Sequence, residues 1–277
     1  MRVLSVVTSS LALHTGPMAT DRQATFVTGA DGFVGTELIK VFVARGHQVF
    51  GLTPSAEAAY RLRRAGAVPV MGDLLEPGQW QDEAAADWIF HLPPHAACVS
   101  RVTRRRARSI ARRLVLMDAH LVDAVADGAT KRIVHVADTG CYGATGPHPI
   151  TEDAPPRSSA WGRCFTPVLD RLDGYVIAGL PIVTAFSGWV YGNGSWLRER
   201  VIEPVIAAGT FARLANRPLR VWRVPAATAR FVVGPVLADS LQTDAVFSNL
   251  RLRGIGFRYR YPTLEQGLQQ VLGALNE

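Results

Sequence analysis

The chain has 277 residues, of which 48% are hydrophobic and 19% charged, and it carries a formal net charge of +7. This size and apolar content are typical of one large globular domain, with or without a small appendage, and they exclude a disordered chain. The three cysteines, Cys98, Cys141 and Cys164, are too far apart for a metal-binding spacing or a disulfide framework, so we expect no metal site and a reducing, cytoplasmic compartment.

The first 22 residues are interpreted as an N-terminal extension. Their apolar stretch, residues 3–13, is interrupted by the polar residues 8–10, which is not typical of a secretory signal peptide. Met18 is an alternative start of translation. No apolar run approaches the roughly 20 residues that a membrane-spanning helix needs, so we expect no membrane association.

The most informative segment is residues 28–35, with the sequence TGADGFVG. It follows an apolar strand and opens a helix, and its glycines have the spacing G-x-x-G-x-x-G. Such a turn lets the backbone approach a ligand closely and points the N–H groups of a helix start at a pyrophosphate. The sequence therefore predicts a dinucleotide site here. The predicted cofactor-binding residues of this segment are Gly29, Asp31, Gly32, Phe33, Val34 and Gly35.

Strands and helices alternate along residues 23–190. This alternation of apolar strands with helices predicts an α/β fold with a doubly wound, Rossmann-like parallel sheet. Residues 191–277 are less regular and are interpreted as a small C-terminal substrate lobe packed on this core. The predicted strands are 24–28, 47–52, 67–71, 88–92, 132–137 and 181–186, and the predicted helices are 32–45, 56–65, 104–127, one after Trp161, 196–208 and 263–275.

The positive charge is concentrated in residues 100–113, which contain seven arginines and no acid. We call the arginines between Arg101 and Arg113 the arginine stripe. It is expected to attract an anionic small molecule or an acyl carrier protein, and the alternative is an ordinary solvated helix face. Nucleic acid is disfavoured because no aromatic residues are interleaved to stack on bases.

Further motifs follow the glycine segment in order: GDL at Gly72–Leu74, IFHLPPHA at Ile89–Ala96, KRIVHVADTGCYG at Lys131–Gly143 and GWVYGNGSW at Gly188–Trp196. With these motifs the chain resembles the short-chain dehydrogenases/reductases of the NAD-dependent epimerase/dehydratase group. The resemblance implies a pyrophosphate held by the three glycines and an adenine ring beside Asp73 and Leu74. It also implies that Leu92 and Pro93 lie beneath the ribose and nicotinamide.

Both NAD and NADP fit this resemblance. NAD-binding relatives usually end the second strand with an acid that binds the ribose hydroxyls. Here the strand ends at Thr53 and Pro54 without an acid. Ser55, Arg61 and Arg64 are available as phosphate contacts, so the sequence favours NADP.

The chain departs from the family at its catalytic pair, Tyr-x-x-x-Lys. Trp161 stands at the tyrosine position and Phe165 at the lysine position. A positioned general acid contributes ~10²–10⁴-fold in rate, and neither ring can transfer a proton. The family mechanism is therefore not expected here.

Several polar residues could replace the missing proton donor. Asp138 ends the fifth predicted strand with Thr139 beside it, and Tyr142 follows closely; these three are the predicted catalytic residues. His91 and His95 near the cofactor loop are alternatives. Large aromatic rings suit a hydrophobic substrate. The predicted substrate-binding residues are Trp161, Trp189 and Trp196, for which the alternative is an ordinary core position.

Three functional hypotheses follow. The first is an NAD(P)-binding enzyme that acts on a small hydrophobic or carrier-tethered metabolite by redox chemistry or by epimerisation, dehydration or cyclisation. The second is a non-catalytic NAD(P)-binding sensor or scaffold. The third is a paralogue that assembles with an active relative. The resemblance implies a homodimer through helices 104–127 and 161–178. The alternative is an altered or absent dimer, because Pro167 and Gly174 weaken the second helix.

Overall fold

The computed structural model describes residues 2–5, 23–93, 101–125, 130–143, 146–155, 159–188, 190, 192, 195, 226–232, 234–241 and 245–273. Its central feature is a parallel sheet of seven strands with the order β1-β8-β6-β5-β2-β3-β4. The strands of this sheet are β1 (Arg2–Ser5), β2 (Ala24–Thr28), β3 (Gln48–Thr53), β4 (Val68–Met71), β5 (Trp88–His91), β6 (Arg132–Asp138) and β8 (Ile182–Ser187).

The helices that follow the strands complete the doubly wound α/β arrangement, as the sequence predicts. Sequence and structure agree within one or two residues for the strands from β2 to β8 of this sheet and for the first three helices. The helices are α1 (Phe33–Ala44), α2 (Ala56–Arg64), α3 (Arg104–Val125), α4 (Gly162–Ile177), α5 (Ala226–Val232), α6 (Pro235–Leu241), α7 (Leu250–Gly254) and α8 (Leu264–Gly273).

Apolar side chains are buried on both faces of the sheet, because successive residues of a strand point to opposite faces. On β2, Val27 belongs to a core shared with Leu38 of α1 and Leu62 of α2. Its neighbour Phe26 belongs to the larger core, which includes Leu114 of α3. The two cores hold the strands rigidly, so the strand ends have fixed positions.

The carboxyl ends of the parallel strands all lie at one edge of the sheet. The glycine turn follows β2, Leu92 follows β5, and the turn at Asp138 ends β6. In open sheets of this type the ligand binds at this edge, where neighbouring crossovers leave in opposite directions. β2 and β5 are adjacent here, which places the predicted cofactor residues at that position.

Two features were not predicted. Residues 2–5 form an edge strand that pairs in parallel with β8, whereas the sequence was interpreted only as an extension there. A second, two-stranded sheet joins β7 (Gly146–Ile150) to β9 (Ala245–Phe247), and Ser248 N–H donates to the Ile150 carbonyl over 2.8 Å. These pairings join segments distant in sequence, so local patterns do not reveal them.

The C-terminal segment docks onto the chain just before α3. Val236 of α6 is fully buried in the larger core, and its N–H donates to the Val102 carbonyl over 3.3 Å. Gly234 has a φ of 86°, and a side chain there would meet the backbone of Val102. None of the helices in the described residues is long and apolar enough to span a bilayer.

Candidate functional site: a dinucleotide cradle beside an aromatic pair

The turn between β2 and α1 is built so tightly that only glycine fits at two positions. Gly29 has a φ of 61°, and a Cβ there would collide with the carbonyl oxygen of Leu92. A Cβ at Gly35 would collide with the carbonyl oxygen of Gly29. Gly32 N–H donates to that same oxygen over 3.0 Å. The glycine spacing thus has a steric cause, and it leaves bare backbone facing the strand ends.

The start of α1 offers N–H groups to an anion. Gly32 precedes the helix, and no side chain of the described residues caps it or places an acid in its first turn. The first N–H groups of such a helix need an outside acceptor, and the helix dipole favours a negative one. The residues present therefore fit a pyrophosphate. Phe33 and Val34 lie in this first turn, and the Phe33 ring packs against Gly192.

We call the glycine turn of residues 28–35, with the start of α1, the cradle. Thr28 links the cradle to the neighbouring strand β5. Its Oγ1 accepts the Leu92 N–H over 3.1 Å and lies 2.8 Å from His91 Nδ1. Leu92 is half-buried and Pro93 is buried directly after β5. These two residues are thus held against the glycine turn, where the resemblance requires them; their contact with a nucleotide stays a prediction.

An acid does lie at the end of β3, although the strand itself supplies none. The exposed Asp31 comes from the glycine turn, and its Oδ2 is 3.5 Å from Thr53 Oγ1. The residues at the end of β3 do not predict this carboxylate, because it comes from a different turn. Arg61, one of the expected phosphate contacts, is engaged with Glu57 over 2.6 Å.

The proposed adenine contacts lie after β4. Asp73 is exposed, and its Oδ1 accepts the Leu75 N–H over 2.9 Å. Leu74 is buried, and its carbonyl oxygen lies 2.8 Å from His120 Nδ1. One oxygen of Asp73 therefore shapes its own turn, and the other side of the carboxylate faces solvent.

The two positions that the resemblance assigns to the catalytic pair hold stacked aromatic rings. The centroids of Trp161 and Phe165 are 4.5 Å apart with an interplanar angle of 27°. Trp161 is only 6% exposed, and its Nε1 has no hydrogen-bond partner within the described part of the chain. Trp161 belongs to the larger core and Phe165 packs against that core, so the stack fills these positions with mostly buried apolar rings.

No lysine is available to replace the missing one. The chain contains two lysines, Lys40 and Lys131. Lys40 lies on the exposed face of α1 and pairs with Glu37 over 2.6 Å. Lys131 pairs with Asp87 over 2.8 Å at the amino end of β6, the edge opposite the cradle.

The three predicted catalytic residues have different surroundings. Asp138 is half-buried, and its Oδ1 accepts the Gly140 N–H over 2.6 Å. Thr139 is buried, and Tyr142 is fully buried with its ring edge against Phe186. Asp138 is therefore the one of the three with an accessible side chain, and the catalytic roles stay predictions.

Asp138 also lies close to the aromatic stack. A Cβ built at Gly140 would be 3.0 Å from Asp138 Oδ1 and 3.3 Å from Trp161 Cδ1. The carboxylate and the indole thus flank one glycine. Trp189 and Trp196, like His95, lie outside the described residues, so their places in the pocket stay predictions.

His91 belongs to a buried polar cluster that sequence reasoning did not assemble. Asp118 Oδ1 lies 3.0 Å from both His91 Nε2 and His135 Nε2. Burial lowers the pKa of His91. Burial raises the pKa of Asp118, but His135 and then His91 outweigh it and hold that pKa well below its usual range. His91 itself is fully buried.

The arginine stripe is fully solvent-facing. All seven arginines are exposed, while α3 turns Ala107, Ala111 and Leu114 towards the core. Arg101 places its guanidinium 5.4 Å from the centre of the Phe231 ring, and Phe231 itself is 74% exposed. The surface therefore combines strong positive charge with one exposed aromatic ring.

Comparison with known proteins agrees with this geometry. The model of the NAD-dependent epimerase/dehydratase family matches residues 25–163. The chain is 36% identical over 118 residues to a 4-hydroxy-2-methyl-3-oxo-4-farnesyl-3,4-dihydroquinoline-1-oxide ketoreductase of Stigmatella aurantiaca, covering 41% of this chain and 33% of the relative. The chain spans a third or less of the length of the curated relatives it matches.

Two solved structures share the fold over nearly the whole chain. The human epimerase family protein SDR39U1 with NADPH has a TM-score of 0.66 at 18% identity, covering 90% of this chain and 98% of its own. The WbmG enzyme of Bordetella bronchiseptica with NAD has a TM-score of 0.66 at 16% identity, covering 92% of this chain and 94% of its own. The family model covers half of the chain, and its match includes the glycine turn and Trp161. The chain belongs to the NAD-dependent epimerase/dehydratase family.

Proposed function

We propose that the protein is a dinucleotide-dependent oxidoreductase that interconverts a ketone and an alcohol on a small apolar metabolite. The observation that carries the proposal is the cradle, in which Gly29 and Gly35 admit no side chain and the start of α1 is uncapped. The ketoreductase relative supports the reaction class over the part of the chain that it matches.

When bound, the nicotinamide supplies or removes a hydride at the carbon of the substrate. The chain has to handle one proton at the substrate oxygen. We assign this proton to Asp138, which is half-buried beside Trp161. In the oxidation direction its carboxylate takes the hydroxyl proton, and in the reduction direction the carboxylic acid returns it.

The aromatic stack selects the substrate in this proposal. Trp161 and Phe165 place apolar rings where the resemblance puts a hydroxyl and an ammonium group. A flat, apolar ring system gains from such a surface, and a polar sugar does not. The substrate class is therefore an apolar ketone rather than a nucleotide sugar.

For the cofactor we propose NAD, which departs from the sequence-based preference for NADP. Asp31 brings a carboxylate next to Thr53 at the end of β3, where it suits ribose hydroxyls and repels a 2′-phosphate. Glu57 adds a second negative charge to the first turn of α2. Arg61 is already paired with Glu57.

The substrate is delivered by an acyl carrier protein in this proposal. α3 begins after β5, so the first arginines of the stripe lie at the same end of the sheet as the cradle. A negatively charged carrier helix would find complementary charge there and place its arm towards the strand ends.

The test uses the full chain and two measurements. Calorimetric titration is expected to show saturable NADH binding that is tighter than NADPH binding. Consumption of NADH is then followed with apolar ketones, including 3-oxo-dihydroquinolines, and the alcohol product is expected in equal amount. NADH binding without consumption on any ketone would overturn the enzyme proposal.

The second candidate is a non-catalytic NAD(P) sensor or scaffold. One observation favours it: both lysines of the chain lie away from the cradle, and a stacked ring pair fills the catalytic positions. This candidate requires nucleotide binding without turnover, and a partner whose affinity changes with the nucleotide bound.

A further inference from the structure

Three residues from distant parts of the sequence meet beneath the cradle. His91 on β5 and His135 on β6 are direct partners in the sheet register, and Asp118 of α3 faces both. They are 0%, 3% and 2% exposed, respectively. One potential ligand atom from each lies within 4.8 Å of the other two.

The cluster leaves polar atoms without partners. Asp118 Oδ2, His91 Nε2 and His135 Nδ1 are buried and have no hydrogen-bond partner among the described residues. His91 Nε2 is 3.0 Å from Asp118 Oδ1, the same oxygen that His135 Nε2 contacts. Of these three atoms, His91 Nε2 is the one that faces Asp118 and His135. A buried polar atom without a partner is destabilising, and a ligand within the cluster would satisfy this one.

Among the described residues, the side chains that surround the cluster offer no further polar partner. A small cavity of about 10 Å³ adjoins the three residues, and its remaining walls are the apolar Leu121, Val122, Ile133, Leu172 and Ile182. This volume is about the room that one water molecule needs. A carboxylate in such a place is stabilised best by a cation.

The donor set fits a transition metal. Two imidazole nitrogens and one carboxylate oxygen are typical Zn²⁺ ligands, with bonds of about 2.0–2.1 Å, so ligand atoms in a tetrahedron lie about 3.3 Å apart. Both nitrogens are 3.0 Å from the shared oxygen, which is close to that spacing, and all three atoms lie within 4.8 Å of one another.

His91 is also held in a ligating orientation. Thr28 Oγ1 lies 2.8 Å from His91 Nδ1, on the side of the ring away from Asp118. A hydroxyl that accepts the Nδ1–H leaves the Nε2 lone pair pointing into the cluster. Such outer hydrogen bonds fix the tautomer of metal-bound histidines.

We propose that His91, Asp118 and His135 bind one divalent transition-metal ion of the zinc class as a structural site. Nitrogen ligands disfavour Mg²⁺ and Ca²⁺, which prefer oxygen. The ion joins β5, β6 and α3, and through Thr28 it supports the strand that ends in the glycine turn. Sequence spacing predicted no metal site, because the fold alone brings these residues together. The proposal is independent of the proposed function.

The test measures metal on the full chain. Because the site is buried, the ion is acquired during folding. The protein is therefore expressed or refolded with Zn²⁺ or with Co²⁺, passed over a weak chelator and analysed by elemental mass spectrometry. We expect about one ion per chain, visible absorption from tetrahedral Co²⁺ and a higher melting temperature than after refolding with a strong chelator.

Variants locate the ion. Asp118→Asn and His135→Gln are expected to lose the bound metal and the cobalt spectrum. His120→Gln is the matched control, because His120 lies on the same helix but contacts the Leu74 carbonyl instead. A wild-type chain that retains neither zinc nor cobalt overturns the proposal, and so does metal that persists in both cluster variants. The cobalt spectrum of the wild type decides the matter even if a variant fails to fold.

Discussion

The Trp161 ring stacks on the Phe165 ring at an interplanar angle of 27°. Phe165 lies one helical turn after Trp161, at the start of α4. Residues four apart on a helix face each other, so this contact occurs at the same spacing that brings tyrosine and lysine together in relatives. If the positions correspond as the resemblance implies, an apolar stack takes the place of a proton donor and its cation.

Restoring the pair is the first prediction. In the double variant Trp161→Tyr/Phe165→Lys we expect reduction of small polar ketones by NADH to rise by ~10²-fold or more, because a positioned general acid returns. Single-turnover absorbance measurements check this. Trp161→Phe/Phe165→Leu is the control and should show no gain; an equal gain in both variants would contradict the explanation.

Asp138→Asn tests the proposed proton carrier. We expect turnover of apolar ketones to fall by ~10²–10⁴-fold while NADH affinity and melting temperature stay unchanged. The amide oxygen of asparagine can still accept the Gly140 N–H that Asp138 accepts, so the turn is kept. Asp170→Asn, an exposed change on α4, is the control. Full activity in Asp138→Asn would remove this residue from the mechanism.

Gly35→Ala tests the cradle. The new Cβ would meet the Gly29 carbonyl oxygen, so the turn must open and the dinucleotide affinity should fall at least tenfold, as calorimetry would measure. Gly174→Ala is the matched control, since it meets nothing within 4 Å on an exposed part of α4. We expect the control to bind normally and to gain about 0.5–1 kcal/mol of stability. Normal NADH binding by Gly35→Ala would refute the cradle.

Cofactor choice should depend on Asp31. In Asp31→Ser the carboxylate beside Thr53 is lost, and we expect the affinity for NADPH relative to NADH to rise about tenfold, which corresponds to about 1.4 kcal/mol. Glu37→Gln removes an equal charge further along α1 and should leave this ratio unchanged. If Asp31→Ser and Glu37→Gln have the same ratio of NADPH affinity to NADH affinity, the Asp31 carboxylate does not contact the ribose.

The arginine stripe should govern association with a carrier. In Arg105→Glu/Arg108→Glu we expect binding of an acidic acyl carrier protein to be abolished, and in the wild type we expect binding to weaken with salt. The control Arg45→Glu/Arg63→Glu makes the same charge change at exposed positions away from α3. Equal binding by both double variants would show that the stripe is only a solvated face.

Much of the fold could be predicted because its signals are local. The apolar spacing of α3 and the glycine turn after β2 depend on neighbours in sequence, and both are found at the predicted positions. The edge strand at residues 2–5 and the β7–β9 pair depend on partners more than 90 residues away. No local pattern specifies such partners.

In the candidate site too, features with a local sequence signal could be predicted, and features that depend on tertiary packing could not. The loss of the catalytic pair at Trp161 and Phe165 is predicted from motif spacing and stays a prediction; the structure shows that the two rings stack. The carboxylate of Asp31 at the end of β3 was missed, because a turn places it there across 22 positions of sequence. The grouping of His91 with Asp118 was missed for the same reason, since it needs a strand and a helix to pack together.

The placement of the two lysines has a practical consequence. Lys40 and Lys131 are both exposed, and neither lies on the glycine turn or at the carboxyl ends of the strands. Coupling through side-chain amines would therefore tether the chain to a sensor chip by its flanks. Nucleotides and carriers in the flowing buffer would still reach the opposite edge, so surface-based kinetics are accessible without an added tag.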